Sequence, residues 1–202
     1  PLIVVDQIIK DHPSDTIILD NQRASYEPVK KLISLGHTKI AIITGGIDHY
    51  TSQQRLNGYE KALRECHLPI YKHYIQCGNY STEGGYEAMM KLAKLPDPPT
   101  AVFISNYDME IGAYIAINHL NLKIPEDISL IGFDNLPLVN IVNPPLSFSE
   151  QPTDEMGLAA AKLLYRRMQG DQSDYPKTLI HAPIFHYTDS ICSPLDKERV
   201  RL

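Results

Sequence analysis

The polar residues of this 202-residue chain recur at one kind of place, directly after short apolar runs. Asp6 follows LIVV, Asp20 and Asn21 follow TIIL, and Gly45 and Gly46 follow IAIIT. Asn79 and Tyr80 come just beyond YIQC, Asn106 and Asp108 beyond AVFIS, and Asp134 and Asn135 beyond LIGF. Gln151 closes an extended stretch that begins near Leu146. The set is rich in carboxylates and carboxamides and includes an aromatic ring. Such groups suit neutral polyols, because carboxylates and amides hold hydroxyls directionally while a ring covers the apolar face of a sugar. Each residue also has an ordinary use, since Asp and Asn after a strand make turns and cap helices. Ser105-Asn106-Tyr107-Asp108 is itself close to a capping box.

Other chemistries find little support. No nucleophile, base and orienter share a motif, so no catalytic residue and no enzyme is expected. The eight histidines show no HExxH or similar ligand spacing, which argues against a metal. GxGxxG, GxxxxGK[ST] and GxSxG are all missing, so no cofactor is expected either. The glycines of Thr44-Gly45-Gly46 read as a tight turn. Cys66, Cys77 and Cys192 are odd in number and form no CxxC, which suits reduced thiols.

Positioning these residues requires alternating strands and helices. Strands are expected at 2–5, 16–19, 39–44, 74–77, 101–105 and 128–133. Helices are expected at 26–35, with Gly36 as the stop, and at 52–66, 82–95 and 107–120. The alternation indicates βαβ units and a parallel sheet, and the continuously apolar strands fit a sheet covered on both faces. Asn143-Pro144-Pro145 interrupts the pattern, because proline disfavours helix at itself and its predecessor. A helix over 154–169 follows, with Leu158, Ala161, Tyr165 and Met168 on one stripe, then short strands at 178–181 and 184–187. In open sheets of this kind, ligands bind beyond the carboxyl ends of the strands, where the polar set lies.

Composition narrows the function. Hydrophobic residues make up 43% and charged residues 21%, ordinary for a globular chain. The formal net charge is −5, and the densest basic segments are Arg166-Arg167 and the tail from Lys197 to Arg201. That balance makes the chain a poor binder of nucleic acid by itself. No apolar run is long enough to span a bilayer, and no secretory signal is visible.

Several segments resemble the effector-binding region of LacI/GalR-type (lactose-repressor-like) transcriptional regulators. They are LISLGHTKIAIITG (32–45), QRLNGYEKAL (54–63), TAVFISNYDMEIGAYIA (100–116), IPEDISLIGFDN (124–135) and PPLSFSEQPTDEMGLAAAKLL (144–164). The resemblance implies a periplasmic-binding-protein-like α/β fold with two Rossmann-like lobes and parallel sheets, the first lobe incomplete. It implies a first lobe formed by 1–36 plus 152–183, a second formed by 37–151 plus 184–192, and a tail over 193–202. The chain would cross between lobes near Leu35-Gly36, Gln151 and Ile184.

By the same resemblance Asp6, Arg55, Tyr80, Asn106, Asp134 and Gln151 hold the effector, a small molecule of sugar type. Arg55 would reach into the cleft, Tyr80 would offer a stacking platform and Gln151 would lie at a crossing. The family's Asn-Asp pair is Asn106-Tyr107 here, so the aspartate role falls to Asp108 or is lost. The family's glycine in the segment after Asp20-Asn21 is Ala24, and an arginine of the last strand is replaced near Thr188. The implied function is effector sensing in a cytoplasmic, homodimeric repressor, with operator DNA bound through an N-terminal helix-turn-helix domain that this chain does not contain. The alternative is a sugar-binding protein of a transport system.

Overall fold

The structure is a computed structural model that describes residues 1–9, 11–134 and 142–194. Asn135 and the tail from 195 onward, with its basic segment, lie outside the described residues. Two sheets organise the chain. The smaller contains β1 (Ile3–Val5), β2 (Asp15–Leu19) and β8 (Thr178–His181), all parallel, in the order β1-β2-β8. The larger contains β3 (Ile40–Thr44), β4 (Ile75–Cys77), β5 (Ala101–Ile104), β6 (Ser129–Phe133), β7 (Ser147–Glu150) and β9 (Ile184–His186). Its order is β4-β3-β5-β6-β7-β9, parallel except for the β7–β9 pair.

The helices are α1 (Asn21–Ser34), α2 (Tyr50–Glu65), α3 (Thr82–Ala93), α4 (Tyr107–His119) and α5 (Thr153–Met168). Strands β3, β5 and β6 are buried at every position, as expected of parallel strands covered on both faces. One face of the larger sheet packs on α3 and α4 through Met89, Leu92, Met109 and Ala113. The other packs on α1 and α2 through Val29, Leu32, Tyr59 and Leu63. Gly58 lets α1 and α2 approach: a Cβ there would lie 2.1 Å from the Gln22 carbonyl oxygen.

Two expectations are corrected. First, α1 begins at Asn21, five residues before the expected start, and its Ala24, Val29 and Leu32 pack with Ile40, Ile42 and Phe103 of the larger sheet. The first crossing therefore lies at Leu19-Asn21 and not at Leu35-Gly36, and residues 21–36 go with the larger sheet. The reason is that α1 extends straight from β2, capped by Asp20, whose Oδ1 accepts from the Arg23 N–H at 3.0 Å. Elsewhere β7 leads through Gln151-Pro152 to α5, and β8 leads through 182–183 to β9.

Second, the stripe Leu158, Tyr165 and Met168 is exposed on α5. Met156, Leu163 and Arg167 are buried instead, the first two against Ile17 of β2. Arg167 holds Asp15 through two bonds, Nε to Oδ2 at 2.7 Å and Nη2 to Oδ1 at 2.9 Å.

Candidate functional site

Apart from Arg55, which lies on α2, the described residues of the sequence-derived set follow the carboxyl ends of strands, and four of them occupy left-handed backbone. Asp6 (φ 57°) follows β1, Asn79 and Tyr80 (φ 49° and 57°) follow β4, and Asp134 (φ 78°) follows β6. Residues other than glycine rarely adopt this conformation, and where they do the surrounding structure over-determines it. Here the main chain holds the two acids: Asp6 N–H donates to Ile17 O at 2.8 Å, and Asp134 N–H to Ser149 O at 2.7 Å.

Arg55 is the hub. It lies in the second turn of α2, is 4% exposed, and rests on the Phe133 ring with its Cζ 3.6 Å from the centroid. Its Nε donates to Asn21 Oδ1 at 2.8 Å and its Nη1 to Ser105 O at 2.6 Å. The guanidinium thus joins the start of α1 to the ends of β5 and β6. Loops after β3 and β5 flank the point where the strand order reverses, which is where α/β sheets bind ligands.

Two carboxyl groups from different sheets lie within the field of this cation. Asp6 comes from the smaller sheet and Asp134 from the larger. Burial raises the pKa of each, and the Arg55 charge opposes that shift in both. Burial lowers the pKa of Arg55 while Asp6 and Asp134 pull it back up. The Asn21 side chain acts on Asp6 in the same direction as Arg55. Gln151 Nε2 donates to Asp134 at 3.1 Å from both carboxylate oxygens.

Asp6, Arg55, Asp134 and Gln151 therefore form one cluster. Tyr80 adjoins it, but its hydroxyl is engaged by Thr51, at 2.9 Å, and by Ser52, while His49 packs edge-on at 5.2 Å. Asn106 turns its carboxamide oxygen to the helix, accepting from the Asp108 and Met109 N–H groups at 3.0 and 3.3 Å as the N-cap of α4. Its oxygen is therefore committed to capping. Asp108 is exposed in the first turn of α4.

Asn21 and Phe133 belong to the cluster although the expected effector-binding set omitted them. Asn21 was legible, because it directly follows a strand. Phe133 was not, because an apolar residue ending a buried strand carries no mark of what stacks on it. Three buried polar atoms at strand ends, Asp6 Oδ1, Thr44 Oγ1 and Ser105 Oγ, have no protein partner among the described residues. Buried polar groups are normally bonded, so these suit a ligand rich in hydroxyls. Among the described residues, no group of three or more His, Cys, Asp or Glu is placed to hold a metal ion.

Comparison with known proteins agrees with this architecture. Residues 29–186 match the family model described as a periplasmic binding protein-like domain. A Bacillus subtilis protein named as a probable HTH-type transcriptional repressor, ExuR, is 43% identical over 165 residues, which cover 81% of this chain and 50% of that protein. A sugar-binding transcriptional regulator of the LacI family from Escherichia coli, solved with phosphate, is 30% identical with a TM-score of 0.84, over 96% of this chain and 69% of that one. A LacI family regulator from Enterococcus faecium with bound ribose is 29% identical with a TM-score of 0.87, over 96% of this chain and 71% of that one. The chain spans about half the length of the curated repressors it matches. On this evidence the chain belongs to the periplasmic binding protein-like domain family and, within it, to the LacI-type regulators.

Proposed function

We propose that this chain is the effector-sensing part of a transcriptional repressor and that it binds a small polyhydroxylated molecule, of sugar type, between its two sheets. The observation that carries the reading is the convergence of Asp6 and Asp134, one from each sheet, on the buried guanidinium of Arg55. A ligand seated there touches both sheets. It therefore favours the arrangement in which they are closed upon it, by the difference in its affinity for the two arrangements. The three unpartnered buried oxygens offer it further hydrogen bonds, and two acids against one cation favour a neutral or cationic ligand over an anion. The bound ribose of the Enterococcus faecium relative has this chemistry.

In this reading Asp6, Arg55, Asp134 and Gln151 make the primary contacts, with Asn106 and Tyr80 at the margin, and no covalent chemistry takes place. Operator DNA is contacted through a helix-turn-helix domain outside these residues, in a homodimer that matches a two-fold operator. The repressor works in the cytoplasm; among the described residues, no helix is long and apolar enough to cross a membrane.

The test is a gel shift of the full-length protein on its own promoter, with a panel of neutral pentoses and hexoses. At least one sugar is expected to change operator affinity. Typical coupling between two sites is about 1–3 kcal/mol, or roughly 5- to 150-fold. A protein that binds none of them, with operator binding intact, overturns the sugar assignment.

A further inference from the structure

Beneath the cleft lies a carboxyl group that no ligand can reach. Glu110, in the first turns of α4, is 1% exposed. Its Oε2 accepts from the Phe133 N–H at 3.3 Å, while its Oε1 has no partner among the described residues. The carboxyl lies directly over Gly132. A Cβ at that position would fall 2.0 Å from Oε1, so only glycine leaves room for it. The next two residues are those the cleft depends on: Phe133 supports the Arg55 guanidinium and Asp134 carries the acid.

Glu110 faces almost no other charge. Strands β5 and β6 contribute no charged side chain, and Glu83, Glu87 and Lys91 of α3 are exposed. Glu150 of β7 is occupied by His186, at 2.6 Å. Arg55 lies above the Phe133 ring, and the charge that reaches Glu110 is that of Asp134, which disfavours its ionisation. Burial acts in the same direction and more strongly, pushing its pKa up to about 8. An uncharged acid at neutral pH explains how the group is tolerated without a counter-ion.

We propose that Glu110 is a positioning residue of the effector cleft: laid across the Gly132-Phe133 backbone, its carboxyl fixes the strand end that presents Phe133 to Arg55 and aims Asp134. The inference rests on the reading of this cluster as the effector site, but it concerns residues that no effector touches. Ionising Glu110 places a second negative charge beside Asp134 and disturbs the alignment of Phe133 under Arg55.

The experiment uses the full-length protein without effector. The probes are the Arg55 Nε–H signal in 15N-arginine spectra, displaced by the ring beneath it, and deuterium exchange at the Phe133 amide. In wild type the Arg55 signal is expected to titrate with a midpoint near pH 8. In Glu110→Gln, which keeps the shape and lacks the ionisation, it is expected to stay flat over the same range. Glu110→Ala, once folded, is expected to exchange its Phe133 amide at least about tenfold faster, with distant amides unchanged. If Glu110→Ala does not fold, the titration arm decides alone. An Arg55 signal that is flat in wild type, or that titrates equally in Glu110→Gln, overturns the proposal; so does a folded Glu110→Ala protein with full Phe133 protection. A separate titration with D-ribose keeps the two readings apart. Failure to bind with these signals as expected counts against the sugar assignment alone, whereas binding with the signals absent counts against Glu110 alone.

Discussion

Gln151 Nε2 sits 3.1 Å from each carboxylate oxygen of Asp134, so one amide spans the acid of the cleft from the segment where the chain leaves the larger sheet for α5. The contact joins the proposed effector-binding acid to a crossing between the two sheets. The hydrogen bond also holds the Asp134 pKa down against the effect of burial.

Gln151→Ala is therefore expected to uncouple effector from operator. Operator affinity without effector should change less than about threefold, while the effector-induced change in that affinity shrinks toward one. Operator titrations of the full-length protein with and without effector measure both. A variant that retains the full effector-induced shift removes the crossing segment from the switch.

Arg55→Ala should weaken effector binding by roughly tenfold or more, since a charge-assisted hydrogen bond contributes about 1.5–3 kcal/mol. Arg55 is buried and bonded to Asn21 and the Ser105 carbonyl, so the substitution should also lower stability by about 1.5–3 kcal/mol. Arg55→Lys should keep part of the stability but lose most of the affinity, because an ammonium cannot serve both partners and a ligand in the geometry of the fork. Denaturant unfolding and titration calorimetry separate the two effects. Undiminished affinity in both variants would falsify the placement of Arg55 in the site.

The stability of the protein should fall as pH rises from about 4.5 to about 8. Glu110 has an ordinary pKa of 4.5 that is raised to about 8 in the folded state. A raised carboxyl pKa means that the fold binds a proton the unfolded chain has released. The contribution is complete below pH 4.5 and is lost through about pH 8. At about 1.4 kcal/mol per pH unit, the loss is at most roughly 5 kcal/mol. Glu110→Gln should flatten this dependence, as followed by melting temperature across pH 5–9, and an unaltered slope in that variant would refute it.

Asp15→Asn should lower the melting temperature by roughly 5–15 °C, because it removes the buried carboxylate partner of Arg167 and leaves the guanidinium with Asp174 alone, a partner that is itself partly exposed. Its two hydrogen bonds with Arg167 are the largest cause holding the Asp15 pKa below its ordinary 3.8. A depressed pKa stabilises the fold above the unfolded value, so this contribution should persist at neutral pH, begin to fall below about pH 4 and be lost as pH drops through the lower folded value. Wild type and Asp15→Asn should accordingly converge in stability at low pH. A difference that stays constant down to pH 2 would show that the ion pair is not its source.

Much of this protein is local and was legible in one dimension. Runs such as IAIIT and AVFI are apolar at every position, which marks parallel strands, and the polar residues that follow them mark the ligand end of the sheets. Asp6, Arg55, Asp134 and Gln151 could all be named as candidates from the sequence and its family resemblance, and they form one cluster in space.

What could not be read is which distant group completes each local demand. Pro28, eight residues into α1, lacks the N–H that would bond the Ala24 carbonyl, and by itself it argues for a helix that starts later. Ser149 Oγ, from β7, donates to that carbonyl at 2.7 Å and replaces the missing donor, so the helix runs through and begins at Asn21, where it meets Arg55. On α5, helical period is satisfied equally by the stripe that carries Leu158 and by the face that carries Met156 and Leu163, and Asp15 at the head of β2 decides which face is buried, by holding Arg167. Glu110 has the spacing of an ordinary first-turn acid, and only Gly132 across the sheet makes a buried place for it. Periodicity and propensity act over a turn or a strand. The partner of a buried polar group is chosen over 125 residues for Ala24 and Ser149 and 152 for Asp15 and Arg167, separations at which only the folded chain brings donor and acceptor together.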